Sequence, residues 1–243
     1  VQVKNLDQSI DVESDANSGK IWDGPLAVLV NRGSASASEI FAAAIQDYNR
    51  GIIMGEKTFG KGTVQNLISL DDYISSKNKS GELKITVAKF YRINGSSTQL
   101  KGVMPDILFP GFYSSKEFGE EENEYALAWD QIRSAPFMDD GSVTKVKELL
   151  ISSSKPRVES NILYKNLIDD IAAVNEIRNK KYVTLNLEQF KKESTEAEAV
   201  KKAREEEQKA LDGEDDSKKD EKTKDLVLME SLNVLADWIK SIK

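Results

Sequence analysis

Histidine and cysteine are both absent from the 243 residues. Without histidine there is no Ser-His-Asp triad, no His-ligated metal and no imidazole base titrating near neutrality. Without cysteine there are no disulfides, no thiolate nucleophile, and no zinc-ribbon or iron-sulfur spacing. Any enzyme built on this chain works with hydroxyl, amine, carboxylate or amide groups. The missing cysteines leave the compartment open, because a chain of this size buries enough apolar surface to fold without cross-links in either redox environment. Long apolar runs are missing too. Stretches such as Leu26-Ala27-Val28-Leu29-Val30 fall far short of the roughly 20 residues of a membrane-spanning helix. So is a basic excess: 41 Asp and Glu against 34 Lys and Arg give a net charge of -7, the opposite of a nucleic-acid-binding footprint. The chain opens Val1-Gln2-Val3-Lys4, with neither an initiator Met nor a charged-then-apolar leader. The expectation is a fragment or processed piece of a longer protein.

What is present reads as a soluble globular chain with one unusually polar segment: 39% of residues are hydrophobic and 31% charged, with mean hydropathy -0.48. The length predicts one large domain, or one with an appendage. Residues 1–3 read as a short strand followed by loop. Residues 25–31 form a near-continuous apolar run bounded by Gly24 and Gly33, the pattern of a strand buried on both faces. The period then changes: Ala37, Ile40, Phe41, Ala44, Ile45 and Tyr48 make one helical stripe. Residues 51–55 read as a second buried strand, so the order strand, helix, strand predicts a parallel pair and an α/β core. A third strand is expected over residues 64–70. Residues 83–93 alternate up to Asn94-Gly95, a type I′ hairpin signal, with the return through Thr98-Gln99-Leu100.

From residue 113 onward the pattern is mainly helical. Ile162, Leu163, Leu167, Ile171, Val174 and Ile177 form a stripe, and residues 182–187 suggest a short strand. Residues 191–225 hold 10 Lys or Arg and 13 Asp or Glu. That segment predicts a solvated helix running into a flexible linker near Gly213. Leu228, Leu232, Leu235, Ile239 and Ile242 then predict a last amphipathic helix that packs on something.

The chemistry concentrates in residues 34–65. In Ser34-Ala35-Ser36-Ala37-Ser38-Glu39, serines stand where a buried strand turns into a helix, a junction that points backbone N–H groups and a positive dipole end at a ligand. A serine there suits a nucleophile, because the following N–H can serve an oxyanion hole. Ser36-Ala37-Ser38-Glu39 is equally a capping box, and a serine ahead of a helix is far more often a cap. With no histidine, lysine is the available base once burial disfavours its charged form. Lys61 stands out between Gly60 and Gly62, although an arbitrary Gly-Lys-Gly is more often an exposed turn. In an extended segment Lys61, Thr63 and Gln65 face one side, which offers Gln65 as the group orienting the amine.

Residues 24–65, from Gly-Pro-Leu-Ala-Val-Leu-Val-Asn-Arg-Gly-Ser-Ala-Ser-Ala-Ser-Glu through Phe-Gly-Lys-Gly-Thr-Val-Gln, resemble the catalytic block of the C-terminal processing peptidases, and within it the tail-specific protease branch. That pattern has serine in Ser-Ala-Ser-Glu, lysine 25 residues later in Gly-Lys-Gly-Thr-Val-Gln and glutamine four further on. Ser36, Lys61 and Gln65 occupy those positions. Tyr91-Arg92-Ile93-Asn94-Gly95 and Gly102-Val103-Met104-Pro105-Asp106-Ile107 resemble stretches that follow the block, and Asn123-Glu124-Tyr125-Ala126-Leu127-Ala128-Trp129-Asp130 resembles part of the branch's C-terminal extension.

The resemblance implies a partial crotonase-like α/β peptidase core over residues 1–112, with parallel strands and a β-hairpin, and a mainly helical extension over residues 113–243. It implies a serine endopeptidase with a Ser-Lys dyad, needing no cofactor or metal, that recognises proteins by apolar C-terminal tails. Ser36 is then the nucleophile, Lys61 the base, Gln65 its orienting partner, and the Ala37 N–H an oxyanion donor. Asp47 matches an acidic residue of the branch. At 11 residues from Ser36 it lies about 16 Å along a continuous helix, too far to bond the nucleophile. A supporting role is expected, holding the Lys61 loop or the helix end, against a solvated helix carboxylate. A PDZ domain and a second oxyanion donor are expected upstream of Val1, which leaves the fragment itself inactive or nearly so. Gly33 stands where the branch commonly has a bulky residue. The resemblance implies a bacterial periplasmic or envelope location. The alternative expectation is a non-catalytic scaffold whose helical half binds a partner or adaptor.

Overall fold

Residues 52–55 are apolar or glycine throughout, and the strand they form, β4 (Ile52–Gly55), is buried at all four positions. In the computed structural model, which describes residues 1–17, 19–74, 79–113, 117–212 and 225–242, this strand is the axis of the fold. It pairs in parallel with β3 (Ala27–Val30) on one side and with β7 (Ile107–Leu108) on the other. Successive side chains of a strand point to opposite faces. Ile53, with Val30 and Val103, packs on Ala42 and Ala43 of α1 (Ala37–Asp47). Ile52 and Met54 pack the other way, with Ile107 and Phe109, against Val143, Leu150, Tyr164, Val234 and Trp238. Those partners include α2 (Lys147–Ser160), α3 (Ile162–Asn179) and α5 (Leu226–Ser241). The parallel sheet therefore sits between α1 and the helical extension, and the extension shares the sheet's core.

A second sheet is antiparallel throughout, in the order β2-β1-β6-β5. It is built from β1 (Gln2–Asn5), β2 (Ile10–Val12), β5 (Thr63–Ser69) and β6 (Glu82–Tyr91). Asp106 ties the layers together. Its Oδ2 accepts from Ile53 N at 2.8 Å, and its Oδ1 meets Gln46 Nε2 at 3.2 Å and Lys147 Nζ at 2.5 Å.

Four local expectations are corrected. The strand at residues 25–31 is not buried on both faces: β3 ends the sheet, and Leu29 is 43% exposed. The segment after residue 3 is not loop alone, since β2 pairs back on β1. The Asn94-Gly95 turn is not type I′, which needs positive φ at both central residues. Only Gly95, at φ 90°, is positive. Gly95 N donates to Arg92 O and Arg92 N to Ser96 O, each at 2.9 Å, the pattern of a type I turn followed by a left-handed glycine. The return strand reduces to a bridge between Tyr91 and Ser97, and β6 takes its full-length partner from β5 instead. Finally, residues 182–186 form no strand: they lead, mostly exposed, into α4 (Leu187–Asp212).

The polar segment is helical in α4, with nearly all of its described side chains exposed; Gly213 lies outside the described residues. In α5 the apolar pattern misleads. Leu228, Leu232, Ile239 and Ile242 face solvent, while Glu230, Ser231, Val234 and Trp238 are buried. The inward face tolerates Glu230 because α2 satisfies it. Its carboxylate accepts from Ser154 Oγ at 2.8 Å and from Arg157 Nε and Nη2 at 3.0 and 2.8 Å, and Arg157 Nη1 reaches Asp237 at 2.7 Å.

Candidate active site

Between β3 and α1 the chain turns sharply. Ser34 N donates to Asn31 O at 3.0 Å, Asn31 N to Ser34 Oγ at 3.1 Å, and Gly33 N to Asn31 Oδ1 at 3.0 Å. The turn delivers Ser36 as the N-cap of α1 with φ 54° and ψ -111°. Positive φ in a residue with a Cβ costs roughly 1–3 kcal/mol and concentrates at functional sites. Ser36 and Glu39 form a capping box, in which Ser36 N donates to Glu39 Oε2 at 2.9 Å. Ser36 therefore stands at the helix end with its backbone held by Glu39. Ala37, the first helical residue, is exposed, and its N–H is one of the first-turn donors that a helix leaves without an internal acceptor.

The second strand of the site is the loop after β4, which packs directly on this turn. Phe59 N donates to Ser34 O at 2.9 Å and the buried Arg32 donates Nη1 to Thr58 O at 2.7 Å. Glu39 completes the junction. Wholly buried, it accepts on Oε1 from Thr58 Oγ1 at 2.5 Å and Gly60 N at 2.7 Å, and on Oε2 from Lys61 N at 2.9 Å as well as Ser36 N. Burial pushes this carboxyl above its ordinary range, against those four bonds, which favour its charged form. Gly60 sits at φ 97° with the Leu100 backbone 3.0 Å from where a Cβ would stand, so the loop needs glycine there.

Lys61 is partly buried, and burial pulls its ammonium below the ordinary lysine value. Glu120 opposes that, Lys84 reinforces it, and Glu39 opposes it more weakly. Its Nζ donates to Thr63 O at 3.0 Å and Thr63 Oγ1 at 3.1 Å; the bond it makes here is with Thr63 and not with Ser36. Gln65 is exposed and donates to Thr86 Oγ1 at 3.5 Å. Lys61 lies ahead of β5, which begins at Thr63, and an irregularity between Val64 and Gln65 breaks the alternation. The structure thus brings Ser36 and Lys61 to one junction and leaves Gln65 on Thr86. Asp47 ends α1, where its carboxylate takes Arg92 Nε and Nη2 at 3.0 and 2.6 Å and Asn94 Nδ2 at 2.9 Å. It holds the helix end to the turn after β6.

Two family profiles match. Peptidase family S41 covers residues 1–109, and the C-terminal domain of tail specific protease covers residues 113–240, more than half of the chain. This chain belongs to the tail-specific branch of the C-terminal processing peptidases. It is 41% identical to the tail-specific protease of Haemophilus influenzae over 249 aligned residues, 98% of this chain and 36% of that protein. The chain therefore spans about a third of that relative's length. It is also 41% identical to a carboxy-terminal-processing protease of Bartonella bacilliformis, over 44% of this chain and 24% of that protein. Among solved structures it is similar to a photosystem II D1 C-terminal processing protease, at 44% identity and a TM-score of 0.31, covering 35% of this chain and 20% of that one.

In this tail-specific protease chain, three residues of the junction escape sequence reasoning. Glu39 reads as a cap partner and turns out to be the clamp between serine turn and lysine loop. Gln99, also wholly buried, accepts from Gly62 N at 2.8 Å and donates to Glu120 Oε1 at 3.0 Å. Nothing in the spacing of Gln99 or Glu120 relative to Lys61 signals either contact, because both depend on loops that return from distant sequence.

Proposed function

We propose that the full-length protein is a serine endopeptidase that selects proteins by apolar C-terminal tails and works with a Ser36-Lys61 dyad. The observation that carries this reading is Ser36, held at φ 54° on a strand-to-helix turn with its backbone clamped, through Glu39, to the loop of a partly buried lysine. In the reaction, Ser36 Oγ attacks the scissile carbonyl carbon while its proton passes to neutral Lys61 Nζ. The Ala37 N–H donates to the oxyanion. Lys61 then returns the proton to the departing amine, leaving an acyl-Ser36 ester. Lys61 next deprotonates the water that attacks the ester, and the carboxylic product leaves with Ser36 restored. Lys61 swings from Thr63 to Ser36 to do this, and catalytic hydrogen bonds often tighten only once substrate binds. Gln65 is assigned to orient the lysine amine in that state, and Asp47 to hold the distal end of α1.

With Ala37 as its oxyanion donor, residues 1–243 alone are expected to turn over substrate weakly or not at all. A bacterial periplasmic or envelope location is part of the reading, supported by bacterial relatives, and is checked by cell fractionation. Ser36→Ala and Lys61→Ala in the full-length protein are expected to abolish cleavage, a loss on the order of 10³-fold or more. Turnover near that of wild type in either variant overturns the mechanism.

A second reading, a non-catalytic interaction module, rests on the exposed apolar residues Leu228, Leu232, Ile239 and Ile242 of α5. A serine-directed acylating probe separates the two: a peptidase is labelled at Ser36, a scaffold is not.

A further inference from the structure

The three consecutive N–H groups around the lysine are all taken by buried side chains. Gly60 N and Lys61 N donate to Glu39, and Gly62 N donates to Gln99 Oε1. Gly60 O in turn accepts from Leu100 N at 2.8 Å. Glu39 belongs to the serine turn, so its clamp is internal to the peptidase core. Gln99 is different, because the other end of its amide is spent on Glu120. Glu120 begins a short 3-10 turn (Glu120–Glu122) in the extension, and its own N–H donates to Phe59 O at 3.1 Å. It is therefore bonded to the lysine loop twice, once directly and once through Gln99. A buried amide with both ends fixed cannot rotate to release one partner without leaving a donor or acceptor unpaired.

We propose that Glu120, in the helical extension, is a positioning residue that holds the Lys61 loop twice, through the buried amide of Gln99 and through its own backbone bond to Phe59. The consequence for catalysis rests on Lys61 being the general base. The charged groups that act on Lys61 are Glu120 from the extension, Lys84 from β6 and Glu39 from α1, and Glu120 is the strongest of the three. A base is active when neutral, so the extension restrains the base at the same time as it places it. The pH at which the enzyme switches on is then a property of the extension, not of the peptidase core alone.

The test is made on full-length protein with Glu120→Gln, which keeps an oxygen to accept from Gln99 and removes the charge. Lysines are reductively methylated with ¹³C, Lys61 is assigned through Lys61→Arg, and its titration midpoint is followed by NMR. The midpoint is expected to move to lower pH in Glu120→Gln, and an unchanged or raised midpoint overturns the proposal. Because this reads Lys61 itself, it decides the proposal even if Ser36→Ala retains cleavage, a result that sinks the dyad and not the coupling. In active protein the acid limb of kcat/KM is expected to shift the same way, with the plateau within about twofold of wild type. Glu120→Ala also removes the Gln99 contact and is expected to lower plateau kcat several-fold with little change in KM, as a misplaced base does. A plateau kcat equal to wild type in Glu120→Ala overturns the positioning half.

Discussion

The backbone nitrogens of Ser36 and Lys61 donate to one and the same oxygen, Glu39 Oε2, each at 2.9 Å. They therefore lie within twice that distance of each other, and a single buried carboxylate fixes the backbone spacing between the proposed nucleophile and the proposed base before either side chain moves. Removing it leaves four donors without an acceptor. Glu39→Ala is expected to destabilise the protein by roughly 3 kcal/mol, measured by chemical denaturation, and Glu39→Gln by less. Since burial raises this carboxyl, the folded state binds its proton more tightly than the unfolded state does. Stability then falls as pH rises from the ordinary glutamate value through the raised folded one. That slope is expected to disappear in Glu39→Gln; a slope that persists assigns it to another group.

The base carries its own pH signature. The proposed mechanism needs neutral Lys61, so kcat/KM is expected to rise with pH on an acid limb that lies below the ordinary lysine value, as burial dictates. Lys84 is a like charge that helps hold the limb low. Lys84→Met is expected to move it to higher pH, opposite to Glu120→Gln, and the shift is expected to shrink in high salt because Lys84 is exposed. A limb indifferent to Lys84 at low salt would remove Lys84 from the groups that set the base.

The parts of this architecture that the sequence made legible share a physical cause. Residues 52–55, α1 and the order strand, helix, strand are legible because their burial follows a local period, two or 3.6 residues. The serine turn and the glycine-flanked lysine are legible because their chemistry is carried by neighbours in sequence. What escapes is set by contacts across the fold. The buried face of α5 contains Glu230 and Ser231, which only Arg157 and Ser154 of another helix make tolerable, so the apolar stripe pointed to the wrong face. Gln65 was aligned with Lys61 by strand alternation that an irregularity at Val64 and Gln65 interrupts. Glu39 was visible as a helix cap, and its larger role needs the loop of residues 58–61 to arrive beside it.

Asp47 and Arg92 form a two-pronged pair at the end of α1 far from the serine, with the Asp47 side chain only 6% exposed. Breaking a buried pair from one side leaves an uncompensated charge. Asp47→Ala is expected to cost roughly 3 kcal/mol and Arg92→Ala a comparable amount, with the double variant well short of their sum. Cleavage per folded molecule is expected to stay within about threefold of wild type, since a positioning contact about 16 Å from Ser36 acts through the helix alone. A loss of kcat as deep as that of Lys61→Ala, with folding intact, would place Asp47 in the chemistry instead.

Trp238 tests whether the extension is an appendage or a part of the peptidase fold. It is 3% exposed and packs in the cluster that holds Ile52 and Met54 of the central strand. An extension that folded by itself would lose Trp238 without consequence for the sheet. Because the cluster spans both, Trp238→Ala opens a cavity in the core that the sheet and the helices share, and a loss of roughly 3–5 kcal/mol is expected. The loss is expected to lower the unfolding midpoint of the whole chain in one transition, followed by far-ultraviolet circular dichroism and by the fluorescence of Trp129, which bonds Ser97 O through its indole N–H at 2.9 Å. Two separated transitions, with the Trp129 signal unmoved, would show that the sheet holds without the helices. A single shifted transition ties the strand that carries the lysine loop to the helix Leu226–Ser241.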